Sequence, residues 1–123
     1  MDKKVLFAVL LLLCEGWYHN VMAEIKTWNS LATTVTLNTD DGVMTITKTG
    51  EPDEFGRTME HYNASKLAPW YDDKETIRTL FVEEGVYDIS NYAFYNCNNL
   101  KSVSLPIGTT WLLWAISWAT VTQ

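Results

Sequence analysis

Apolar and polar residues alternate in two neighbouring stretches of the chain. Thr34-Val35-Thr36-Leu37-Asn38 places Val35 and Leu37 on one face of an extended strand. In Val43-Met44-Thr45-Ile46-Thr47-Lys48 the same period puts Met44 and Ile46 together. Asp40-Asp41-Gly42 lies between them, and two β-branched runs around an Asp-Gly turn predict a β-hairpin. Upstream, residues 24–33 read as a polar lead-in that contains Trp28. Downstream, residues 49–66 scatter Gly50, Pro52 and Gly56 among charged and polar side chains, which predicts a loop with a short helical turn near residues 59–64. Ala68-Pro69-Trp70-Tyr71 follows. Rings of that size are expected to fasten the loop to the core, with ligand binding as their other open role.

A repeat comes next. Ile77, Leu80 and Val82 are matched 23 positions later by Leu100, Val103 and Leu105. Gly85 with Gly108, and Ile89 with Leu112, keep the same offset. Such a period predicts a solenoid: a short strand in a parallel ladder, a turn, then a return segment with apolar residues of its own. Leu80 and Val82 face the interior, and Ile77 enters from the preceding bend. Ile89, Ala93, Phe94 and Cys97 fill the interior from the return segment. Arg78, Thr79 and Phe81 are the outward candidates on the first strand, with Lys101, Ser102 and Ser104 in the next row. Phe81 is the odd member. Exposed, it is a contact candidate; otherwise it packs under the hairpin.

Tyr92-Ala93-Phe94-Tyr95-Asn96-Cys97, followed by Leu100-Lys101-Ser102-Val103-Ser104-Leu105-Pro106, resembles the BspA-type leucine-rich repeat family of bacterial surface proteins. Its repeats run roughly L-x-x-L-x-L-P-x-x-(V/L)-T-x-I-x-x-x-A-F-x-x-C. The upstream Trp28, the Asp-Gly hairpin, Pro69-Trp70-Tyr71 and Glu83-Glu84-Gly85-Val86 are similar to what often precedes such repeats. The likeness spans roughly residues 28–110. It implies a mainly β fold: a hairpin or cap region over residues 24–76, then a short leucine-rich repeat solenoid over 77–123, well formed at 77–99 and degenerate at 100–123. It also implies a surface protein that binds host extracellular proteins or other bacteria. The tail departs from the pattern. Trp111-Leu112-Leu113-Trp114-Ala115-Ile116-Ser117-Trp118-Ala119 aligns Ala115, Ile116 and Ala119 with Ala93, Phe94 and Cys97 only after a one-residue deletion. A degenerate last coil and a truncated or frame-shifted end are both open readings, and either leaves apolar surface for partner contact or aggregation.

Export follows from the other end. A small basic start, Lys3-Lys4, precedes nine apolar residues from Val5 to Leu13, far short of the ~20 that cross a bilayer. This pattern predicts a signal peptide over residues 1–23, cut after Ala23 in Val21-Met22-Ala23, and hence a secreted or cell-surface chain without a transmembrane helix. A buried N-terminal element and lipid attachment at Cys14 are the alternatives; for the latter Leu13 stands where a small residue is wanted. Cleavage removes two acidic and two basic residues, so the net charge stays at −6. Without clustered Lys or Arg the chain is not expected to bind nucleic acid.

Chemistry is sparse. Cys97 is the one cysteine left after cleavage, so no internal disulfide forms, and it is expected to pack as a small hydrophobe. His61 lies in a polar loop, away from the position the repeat assigns to Cys97. No short-spaced Cys and His residues suggest zinc, and neither Asp40-Asp41 nor Asp72-Asp73 completes a calcium loop. Catalytic residues, cofactors and metals are therefore not expected, and the expected partner is a protein. Two competing readings are a truncated remnant of a longer adhesin and, last, a small secreted hydrolase, which would need a pocket of perturbed carboxylates.

Overall fold

The computed structural model describes residues 24–107. Five strands form one sheet: β1 (Ile25–Ser30), β2 (Thr33–Asn38), β3 (Val43–Lys48), β4 (Thr79–Val82) and β5 (Ser102–Ser104). They pair in chain order, antiparallel through β3 and parallel from β3 to β5, without closing into a barrel. The fold is mainly β, with a single 3₁₀ turn at Tyr71–Asp73 among the described residues. The expected signal peptide with Cys14, and the tail from Gly108 through Leu112, Ala115, Ile116 and Ala119, lie outside them.

Strands β2 and β3 are the expected hairpin, and Val35, Leu37, Met44 and Ile46 are fully buried on one face. Each residue of the turn has a task. Asn38 Oδ1 accepts the Asp40 N–H, and Asp41 Oδ1 accepts the Val43 N–H. Gly42 takes φ +74, and a Cβ there would stand 2.5 Å from the Thr76 carbonyl oxygen. No other residue fits that corner. The Gly42 carbonyl in turn accepts the N–H groups of Arg78 and Thr79, at 2.8 and 3.1 Å, so the hairpin turn is also the docking point of β4.

In the repeats, Thr79, Leu80 and Phe81 stand opposite Ser102, Val103 and Ser104, the parallel ladder that a 23-residue period requires. Ile77, Leu80 and Val82 are buried, as are Ile89, Ala93, Phe94 and Cys97 of the return segment. Leu100, Val103 and Leu105 are half-buried and pack against the same core. The return segment curls through short local turns, with the N–H groups of Ala93, Tyr95 and Cys97 bonded to the carbonyls of Ser90, Tyr92 and Phe94. Tyr92 and Asn96 take φ values of 64 and 59, the left-handed bends that turn Ala93 and Phe94 inward.

Residues 24–33 are not a lead-in. They contain β1, whose inward positions are Lys26, Trp28 and Ser30, facing Leu37, Val35 and Thr33. Alternation was hidden because two of the three are polar and find partners. Lys26 Nζ lies 2.8 Å from Asp73 Oδ1, and Ser30 shares a hydrogen bond with the Tyr62 hydroxyl. Residues 59–64 form no helical turn either. The N–H groups of Glu60 and Tyr62 donate to the hydroxyls of Ser30 and Ser90, which leaves them none for a helix ladder. Met59, Tyr62 and Trp70 point into the core, so this loop serves as the return segment between β3 and β4.

Candidate binding surface

The sheet has two faces of opposite character. Return segments cover the inner one. On the outer face, strand register draws two lines across all five strands: Thr27, Thr36, Thr45, Phe81 and Ser104 in one, Ile25, Asn38, Val43, Thr79 and Ser102 in the other. Neither line contains a charge, on a chain whose charged residues make up 20%. Phe81 is 44% exposed. It does not pack under the hairpin: Leu80 and Val82 take the inward positions on either side, and the pleat sends Phe81 out beside Thr45.

Ser102 and Ser104 are exposed, and Thr79 is half-buried by its neighbours on both sides. Arg78 and Lys101 are exposed at the rim, where β4 and β5 begin. Their backbones are neighbours, with the Lys101 N–H donating to the Arg78 carbonyl at 2.9 Å. The structure thus sets Thr79, Phe81, Ser102 and Ser104 at outward positions of two adjacent strands, with Arg78 and Lys101 exposed just before those strands begin. The hairpin's share of that surface, from Thr27, Thr36, Thr45 and Val43, was missed. Its signal was the outward phase of the same alternation, and it gained meaning only once β3 was known to lie beside β4.

Elsewhere the chemistry is quiet. Burial pushes the Cys97 thiol up to about 12, so it stays protonated and a poor nucleophile at neutral pH. His61 sits on the exposed loop, both ring nitrogens 3.3 Å from Arg57 Nη1. Arg57 is itself bound to Asp53, whose carboxyl is held below its usual range chiefly by the Arg57 backbone N–H. Among the described residues no group of three or more His, Cys, Asp or Glu is placed to hold a metal ion, and no helix is long and apolar enough to cross a membrane. Ile107, the last described residue, is exposed.

No protein-family model matches this chain, and no curated protein does. A solved structure does: the crystal structure of a leucine-rich repeat protein from Eubacterium ventriosum, at 31% identity and a TM-score of 0.54. The match covers 67% of this chain and 20% of that one, so the chain spans about one fifth of the length of the protein it resembles. With the parallel ladder, this likeness establishes the fold as a β hairpin region leading into a leucine-rich repeat solenoid.

Proposed function

We propose that this chain is an exported, BspA-type leucine-rich repeat protein that binds other proteins on its outer sheet face and carries out no catalysis. One observation carries the reading: five strands present an ordered outer face whose two central rows hold no charge and one exposed aromatic ring, while the return segments lie on the opposite side. A surface already ordered by the sheet loses little freedom when a partner settles on it. In this reading residues 1–23 are removed on export, 24–76 form the cap and 77–123 the repeats, displayed at the cell surface or released from it.

Two measurements test it. Exported material from cells expressing the full chain is expected to begin at Glu24 when its N-terminus is sequenced; material that keeps Met1 overturns processing at that site. The exported chain is then presented to a panel of purified host extracellular-matrix and bacterial surface proteins. Thr45→Trp and Ser104→Trp add bulk to the outer face without charge, and each is expected to abolish capture of the protein retained. Capture that survives both, or no capture by the parent chain, overturns the assignment of this face.

A further inference from the structure

Seven basic side chains lie within the described residues, and five of them are engaged. Lys26 pairs with Asp73, Lys48 with Glu51, Arg57 with Asp53, and Lys66 with Glu60. Lys74 Nζ sits 4.3 Å above the Tyr71 ring. Only Arg78 and Lys101 meet no acidic or aromatic partner among the described residues, and these two are adjacent. The 23-residue period sets one directly beside the other, their strands ~4.8 Å apart across the ladder. Like charges in neighbouring strands repel, so an unneutralised pair costs stability unless something anionic joins it. On a chain of net charge −6, nearby carboxylates would be the obvious remedy. The nearest turn declines it: Asp41 spends Oδ1 on the Val43 N–H and lies beyond ion-pairing distance of Arg78. The stem of Arg78 runs past Gly42, where a Cβ would stand 2.9 Å from Arg78 Cγ.

We infer that Arg78 and Lys101 form a cationic clamp for an acidic peptide segment, with Phe81 as the apolar contact beside it. This names the partner chemistry of the outer face and rests on the reading that this face binds protein. A guanidinium fork takes a carboxylate with two hydrogen bonds, and an adjacent ammonium takes a second one as a point charge. Aromatic and Arg side chains together are the usual anchors of a protein interface. Thr79, Ser102 and Ser104 offer hydroxyls that donate to or accept from a peptide backbone. A sulfated glycan suits the site less well, because polyanion binding is built from many cations and this face has two.

The test uses the full exported chain and a fluorescent peptide of alternating Glu and Leu, with a Gln-for-Glu peptide and heparin as comparisons. The Glu peptide is expected to bind about tenfold or more tightly than the Gln peptide, and to weaken about tenfold between about 0.05 M and about 0.5 M salt. Arg78→Glu/Lys101→Glu is expected to abolish binding, and Arg78→Lys/Lys101→Arg to keep most of it. Arg78→Gln/Lys101→Gln, which introduces no new charge, is expected to lose about tenfold or more and guards against misfolding of the reversed variant. Equal binding of the Glu and Gln peptides, heparin binding in place of the peptide, or a Gln/Gln variant that binds like the parent each overturns the clamp. If Thr45→Trp still abolishes protein capture while the Gln/Gln variant does not affect it, the clamp alone falls. Loss of both responses removes the face itself.

Discussion

Strand β4 has a parallel neighbour on each side, and the chain reaches them by different routes. Val43 on β3 stands opposite Thr79, 36 residues on, whereas Thr79 stands opposite Ser102, only 23 on. The shorter route is the repeat, which holds itself with turns between near neighbours. The longer one has short turns of its own and also reaches across to the coil beside it. Thr58 donates to Asp88 Oδ1 through its N–H and its hydroxyl, at 2.6 and 2.7 Å, and its hydroxyl oxygen accepts the N–H groups of Tyr87 and Asp88. Tyr62 N–H meets Ser90 Oγ at 2.7 Å, and Trp70 Nε1 donates to the Ala93 carbonyl at 2.6 Å. Local turns thus serve both routes, and specific polar bonds tie the irregular one to the coil beside it.

That contrast can be broken most forcefully at the two large buried rings. Trp70→Ala and Phe94→Ala should each cost about 3–5 kcal/mol in denaturant unfolding, since both side chains are fully buried. Trp70→Ala should cost the more, because it also leaves the Ala93 carbonyl without its partner and strips the Trp28 and Tyr62 rings of theirs. Equal losses would mean that the cross-links of the long route add little. Thr58→Val keeps the shape and deletes the hydroxyl. About 2 kcal/mol should go, as the N–H groups of Tyr87 and Asp88 lose their acceptor, and Thr58→Ser should restore most of it.

Taken per pH unit, the smallest effect comes from pH. Burial raises the Cys97 thiol from 9.0 to about 12, so the folded state favours the protonated form. Its contribution is complete below pH 9 and disappears as pH climbs toward 12, at about 1.4 kcal/mol per unit. Tyr62, raised by burial in the same direction, adds to the loss above pH 10. Thermal melts of Cys97→Val should therefore fall less steeply between pH 9 and 11 than those of the parent, and parallel curves would contradict the assignment.

The same contrast explains what could be read in advance. Val35, Leu37, Met44 and Ile46 alternate openly, and the offset of 23 shows in residues that face one another across β4 and β5, so the hairpin and the repeat ladder were legible. Strand β1 was not, because Lys26 and Ser30 occupy inward positions and are reconciled only by Asp73 and Tyr62, residues 47 and 32 positions away. Nor was the role of the long loop, whose ties join Thr58, Tyr62 and Trp70 to a segment about 23 to 30 positions downstream with no period to announce them. The outward candidates on the two repeat strands could be named from their phase. The wider face needed the pairing of β3 with β4, a long-range fact that local alternation does not contain.

The Gly42 carbonyl, shared by two amides of the incoming chain, gives the molecule a direction of assembly. A hairpin closes in about 1–10 μs from contacts close in sequence. Closing a loop of 36 residues is entropically dearer and gains its reward only when a finished edge awaits it. Once β2 and β3 have zipped, that edge exists, with an acceptor already aimed at Arg78 and Thr79. The first coil is then templated on the hairpin and the second on the first. A polypeptide emerging N-terminus first during synthesis would present the seed before the segments that grow upon it.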